Sequence, residues 1–231
     1  MLKTLKNAWG IEELRKKILF TLFIILVYRL GNAVPVPYVN TAMLESYFNT
    51  VNNTILGLWN TMSGGSFSMA TIFALSIQPY INASIIIQLL TIAIPALERL
   101  QKEGGEEGRK KLASITRYTT VGIGLIMGFA YYMLIKNGVN GQSMLTAAIV
   151  IIMTFMAGSA LIMWMGEQVT EFGVGNGISI ILFASIIARF PSSIGTMITN
   201  VSNGSLAWWA LALVIVGALA IVVLIVIVND A

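Results

Sequence analysis

The chain has 231 residues, of which 57% are hydrophobic and only 10% charged, with a mean hydropathy of +0.83. Soluble domains carry about 25% charged residues, so this composition points to an all-α, polytopic helical membrane protein. Cysteine and histidine are absent, which excludes a disulfide framework, a Cys/His zinc site, a histidine base and a cysteine nucleophile; the net charge of +4 lies beside apolar runs, where topology explains it better than nucleic acid does.

Residues 1–17 read as an amphipathic helix on the cytoplasmic surface. Leu2, Leu5 and Trp9 face lipid, and Lys3, Lys6, Arg15, Lys16 and Lys17 face headgroups. No small-residue cleavage site follows, so this stretch is not read as a removed signal peptide. The first span is expected over 18–34, with Arg29 within snorkelling reach of the interface and Pro35 and Pro37 ending it. A polar, asparagine-rich outer segment fills 35–56.

A weakly apolar piece over 57–72 with a Ser63-Gly64-Gly65-Ser66 hinge precedes the second span over 73–97. Pro79 interrupts that apolar run, so the helix should kink or restart there. Backbone groups freed within a membrane are tolerated only where protein or water surrounds them. The region therefore reads either as the lining of a cavity or as an ordinary Pro-kinked span behind a loop.

Charged residues occupy 98–117, and a cytoplasmic loop is expected over 98–114, with Gly104, Gly105 and Gly108 making a flexible tip. It reads either as a solvated, topology-setting loop or as a docking site for a soluble partner, with Lys102, Arg109, Lys110 and Lys111 as the docking residues. The third span is expected over 115–135 and the fourth over 143–165, followed by a tight turn, GEQVTEFG, over 166–173. The fifth span, 174–190, is short and opens on Gly175-Asn176-Gly177; a polar turn over 191–205 leads to the sixth, 206–228. Eleven of the fourteen Lys and Arg residues then lie on the N-terminal side of the membrane, which places both termini in the cytoplasm.

The spans hold no acidic residue at any midpoint, which argues against an ion-coupled carrier and against intramembrane hydrolysis. Asn82, Ser84 and Gln88 are the only polar candidates for a small-solute site. Aliphatic pairs remain. Ile77 and Ile81 are four apart beside Pro79, and Ile178 and Leu182 repeat that spacing after Gly177. Such residues can form an apolar constriction that blocks ions by dewetting, or can simply pack helices.

Four stretches decide between these readings: SGGSFSMATIFALSIQPYINASIIIQLL at 63–90, KEGGEEGRKKLASITRY at 102–118, LIMWMGEQVTEFGVGNGISIILFASI at 161–186, and the N-terminal ELRKKILFTLFIILVYRLGNAVPVP. Together they resemble the SecY family, the pore subunits of the bacterial protein-conducting channel, over essentially the whole chain. The resemblance implies that Ile77, Ile81, Ile178 and Leu182 belong to a hydrophobic pore ring, Leu182 standing where Ile is common. It implies that 57–72, with Met62, Ser63, Gly64, Gly65, Ser66 and Phe67, is the plug that closes the outer funnel. Ser84, Ile85, Ile87, Gln88 and Thr91 would line one side of a lateral gate that releases signal sequences to lipid.

The family implies no catalytic residue, no metal and no cofactor. Its partners would be SecE, SecG, the SecA ATPase or a ribosome, and a signal-sequence-bearing polypeptide in the bacterial plasma membrane. Family members have ten spans in two pseudo-symmetric halves, whereas six are expected here. The expectation is thus a SecY-like N-terminal half, acting as a partial or split channel with a separate C-terminal half. The competing expectation is a non-conducting membrane scaffold or insertase-like element.

Overall fold

The computed structural model describes residues 10–50, 54–102, 104–140, 143–204 and 207–230. Most of the expected surface helix, including Leu2, Leu5 and Trp9, lies outside them. Among the described residues there are ten α-helices and no named strand. Two compact units are present, Met1–Ile186 and Ile187–Ala231.

The first unit begins with α1, Glu12–Gly31. Glu12 and Glu13 favour its positive N-terminus and pair one turn on with Lys16 (2.8 Å) and Lys17 (3.5 Å). Residues 12–17, expected in a separate surface helix, therefore belong to the same helix as the apolar run. Thr21, Ile24 and Tyr28 form its buried stripe, and Tyr28 stacks on Phe73 with ring centroids 5.8 Å apart. The chain then turns back against itself. Val36 donates to the Ala70 carbonyl (2.9 Å) and Ile72 to that of Val34 (3.0 Å), pinning the outer segment to the segment that follows the hinge. The outer segment carries α2, Thr41–Thr50, and α3 follows, Ile55–Met62.

Residues 63–77 are not helical and, apart from the exposed Met69 and the half-buried Gly64 and Ile72, are buried. Their polar backbone is satisfied locally: Gly65 donates to the Asn60 carbonyl (2.8 Å), Thr71 to Ser66 (3.2 Å), and Ser76 to Phe73 (2.8 Å). Asn60 and Ser63 side chains accept from the Ser68 and Phe67 amides at 3.0 and 3.1 Å. Irregular backbone at membrane depth survives only with such enclosure.

The second span, expected over 73–97 with a kink or restart at Pro79, has its helix start beside that proline and its sharp bend elsewhere. Its helix, α4, is Gln78–Ala93, and Pro79 sits in the first turn, where its missing N–H costs no bond. The sharp bend of 102° lies instead at Ile94, between α4 and α5, Pro95–Lys102. Ile94 is extended (φ −111°, ψ 112°), as a residue preceding proline prefers.

The charged stretch expected to be a loop is helical on both sides of its turn. After α5, α6 runs 31 residues from Gly105 to Ile135, straight through Arg109, Lys110 and Lys111. Glu, Lys, Arg and Ala are good helix formers; their charge marks where lipid ends, not where the helix ends. The same holds for 166–173, where α7, Met144–Phe172, continues through the expected turn. A short 3-10 turn, Lys136–Gly138, follows α6. Thr116, Thr120, Gly124 and Gly128 make one small-residue stripe on α6 that lets it lie close to its neighbours. The first unit closes with α8, Gly177–Ile187.

In the second unit, α9 (Phe190–Ser202) replaces the polar turn expected over 191–205, because Pro191 occupies its first turn and so starts a helix instead of ending one. The apolar α10, Trp208–Asp230, follows. Among the described residues, four helical stretches are long and apolar enough to cross a membrane: Gly105–Gly138, Met144–Phe172, Gly177–Ser202 and Trp208–Asn229, or five if the bent α4–α5 pair is one broken span. Six are expected from the apolar runs. α1 does not qualify, since Lys17 and Arg29 leave too short an uncharged stretch between them.

Candidate functional site

Two apolar clusters fill the first unit. The one that matters here centres on Ile77, Ile162, Met165, Val169 and Ile181, with Ile81, Ile178 and Leu182 packed against it. All four residues singled out by spacing thus share one cluster, although they come from two separate segments.

Local sequence explains how they get there. Ile77 immediately precedes α4, fully buried, and its carbonyl accepts from the Ile81 amide at 3.1 Å. Their four-residue spacing therefore works through a turn that caps the helix. On α8, Asn176 Oδ1 accepts from the amides of Ile178 (3.0 Å) and Ser179 (3.2 Å), an N-cap that sets the first turn. The Gly177 amide donates to Thr170 Oγ1 (2.9 Å), tying that turn to α7. Gly177 also lies directly against α7: a Cβ there would be 2.0 Å from the Gly166 carbonyl oxygen. A Cβ on Gly166 would in turn meet Ile178 Cγ1 at 3.3 Å and both Ile77 Cδ1 and Ile181 Cδ1 at 3.6 Å. Two facing glycines thus bring the two segments together. Ile181, between the two residues picked out by spacing, is the one wholly enclosed on the α7 side, and nothing in the repeat marks it.

The cluster's side chains are aliphatic or aromatic, with the Met165 thioether and the Tyr28 and Tyr80 hydroxyls as their polar atoms. Among the described residues no group of three or more acidic side chains could hold a metal. What this arrangement offers is an uncharged, water-excluding patch built from flexible aliphatic ends.

The hinge segment packs beside it. Ser63, Gly65, Ser66 and Phe67 are buried, and Met62 and Gly64 partly so. Phe67 is held among aromatic rings, 4.6 Å from Tyr131, 5.2 Å from Phe48 and 6.0 Å from Trp59 between centroids. The Tyr131 hydroxyl donates to the Phe67 carbonyl, and Ser185 Oγ to that of Met62 at 2.7 Å. Neither Tyr131 nor Ser185 carries a sequence signal for this task.

The five α4 residues separate by face. Ile85 and Gln88 are exposed and Ser84 partly so, whereas Ile87 and Thr91 are buried within the bundle. Asn82, Ile85 and Ile86 line an open groove of about 330 Å³ with Ile123 and Ile126 of α6. At the opposite end of α4 and α6, Arg109, Lys110 and Lys111 are exposed and, among the described residues, form no ion pair. Lys102 bonds to Glu98 at 2.7 Å, and that hydrogen bond, with the carboxylate's charge, holds its ammonium above the ordinary range. Arg117 Nε pairs with Glu167 across α6 and α7 at 2.8 Å.

This architecture has known relatives. A model of the SecY family matches residues 71–231. The chain is 42% identical over 224 residues to the protein translocase subunit SecY of Pseudomonas aeruginosa, covering 96% of this chain and 50% of that one. It is 40% identical over 234 residues to the SecY of Bacillus subtilis, covering 99% and 53%. It therefore spans about half the length of these curated relatives. Among solved structures it is similar to a protein conducting channel and to Sec61 in the canine ribosome–channel complex from the endoplasmic reticulum. Each has a TM-score of 0.53 at 18% identity and covers 74% of this chain and 36% of the other, a likeness of fold. A family match over most of the chain, with relatives about as similar along nearly all of it, shows that the chain belongs to the SecY family.

Proposed function

We propose that this chain supplies one side of a passive channel for unfolded secretory polypeptides, with lateral release of membrane segments, in a bacterial plasma membrane. The remaining wall of the pore comes from the sequence that its relatives have beyond the matched half. The observation that carries this reading is the convergence of Ile77, Ile81, Ile178 and Leu182, from two interrupted segments, in one uncharged cluster. An aliphatic ring cannot hydrogen-bond a moving chain, so no sequence is retained in it. It deforms around bulky side chains, and when closed it excludes water and so bars ions. Residues 62–67 serve as the plug, and the groove between α4 and α6 as one side of the lateral gate.

Energy comes from a partner. The exposed Arg109, Lys110 and Lys111, with Lys102, form the docking face for a soluble motor, SecA or a ribosome, while SecE and SecG complete the membrane complex. The test is Ile81→Ser with Ile178→Ser in the full-length channel in proteoliposomes. Resting ion leak and acceptance of weakened signal sequences should both rise; if both stay at the unsubstituted level, these residues do not form the seal.

The groove lined by Asn82, Ile85, Ile86, Ile123 and Ile126 also suits a second reading, a scaffold that shields substrate helices without conducting. A scaffold would show the groove engaged by substrate and the Ile77 cluster untouched.

A further inference from the structure

We infer that Ser185 is a releasable latch that holds the plug segment against α8. Two observations converge on it. Its hydroxyl is wholly buried and has two acceptors at the same distance, 2.7 Å: the Met62 carbonyl across the interface and the Leu182 carbonyl of its own helix. The carbonyl of Ser185 in turn lies against Gly64, where a Cβ would approach it to 2.7 Å and where φ is +68°. A glycine is thus required at the place where the plug touches the helix that carries Ile178 and Leu182.

A hydroxyl has one proton. While the segment is docked, Met62 shares it; when the segment leaves, the proton passes wholly to Leu182. The donor is therefore satisfied in both states, and the usual penalty for orphaning a buried hydroxyl is avoided. Tyr131 differs: among the described residues its hydroxyl has the Phe67 carbonyl as its one acceptor, within an aromatic cage. The segment is thus held at Phe67 by Tyr131 and at Met62 by Ser185, and the Ser63–Phe67 and Asn60–Ser68 bonds tie the two points together across Gly64 and Gly65, both at positive φ. Ser185 lies one turn beyond Leu182 on the same helix, so the plug contact and the Leu182 end of the cluster share α8.

The consequence for gating rests on the channel reading, but the latch itself is read without conduction. This chain has no cysteine; with any cysteine in the rest of the channel replaced, Ser66→Cys, at a position 2% exposed, introduces a single thiol whose maleimide labelling reports opening of the segment. In the full-length channel in liposomes, adding Ser185→Ala should speed that labelling about fivefold, and Ser185→Thr, which keeps the hydroxyl, should restore the slow rate. A thiol from Ala147→Cys, buried on α7, serves as the control and should stay slow. Unchanged labelling with Ser185→Ala, equal acceleration by Ser185→Thr, or parallel acceleration at both thiols overturns the latch. If Ser66→Cys labelling rises as expected while ion leak does not, the latch stands and the channel reading falls.

Discussion

Gly177→Ala is the substitution whose effect follows most directly from the coordinates. A Cβ at this position would lie 2.0 Å from the Gly166 carbonyl oxygen, 2.7 Å from Val169 Cβ and 2.9 Å from the Thr170 nitrogen. Two of these are backbone atoms of α7, and no rotamer change removes them. Restoring ordinary contact requires α8 to retreat by about 1.4 Å, an overpacking that costs about 1–3 kcal/mol in a dense interior. The retreat also stretches the Gly177–Thr170 hydrogen bond and carries Ile178 and Leu182 away from Ile77. Two neighbours calibrate the result. Gly166→Ala meets only side-chain ends, at 3.3 Å and beyond, and should cost less than about 1 kcal/mol. Gly175→Ala meets nothing within 4 Å but sits at φ +69°, so it carries only backbone strain, about 1–2 kcal/mol. The assay pairs thermal unfolding in detergent, followed by tryptophan fluorescence, with resting ion conductance of the full-length protein in bilayers. Gly177→Ala should lower the midpoint most of the three and alone raise the conductance. If it is as stable and as tight as Gly166→Ala, the two-glycine contact does not hold the seal together.

Three further outcomes follow. Phe155, wholly buried against Tyr131 with ring centroids 4.8 Å apart, should cost about 3–5 kcal/mol when replaced by Ala, measured by the same unfolding assay. Breaking the Arg117–Glu167 pair by Arg117→Ala should cost no more than about 1 kcal/mol, because the arginine is half exposed, and the exchange Arg117→Glu with Glu167→Arg should recover most of it. Replacing Arg109, Lys110 and Lys111 together by Glu should leave the unfolding midpoint unchanged while weakening binding of a soluble motor in a salt-dependent manner; equal binding at low salt would remove their assigned role.

Composition made the membrane class legible, since 57% hydrophobic residues with so few charges leave no soluble alternative. Polarity misled wherever it was taken as the end of a helix. The 102–118 stretch and GEQVTEFG are charged because they leave the bilayer, yet Glu, Lys and Arg continue a helix into water without penalty. Proline was legible only in part: α4 restarts at Pro79 as one of the two expected outcomes, whereas Pro191 starts a helix inside an expected turn and Pro95 marks an unexpected bend, through its effect on Ile94. The aliphatic pairs were visible because four-residue spacing survives both in a helix and across its capping turn. Ile181, Phe73 and Tyr28 were not visible, since their burial depends on which face of α8 meets α7 and on an irregular segment with no period. Ser185 and Tyr131 escaped for the same reason. Each bonds a backbone carbonyl far away in sequence, and a carbonyl has no residue signature.

The most direct test of the seal is site-specific photocrosslinking from Ile77, Ile81, Ile178 and Leu182 to a secretory polypeptide arrested in transit through the full-length channel. Strong crosslinks are expected from all four, lost when the polypeptide is released. Crosslinks confined to residues 85–90 and α6, with none from the Ile77 cluster, would contradict it.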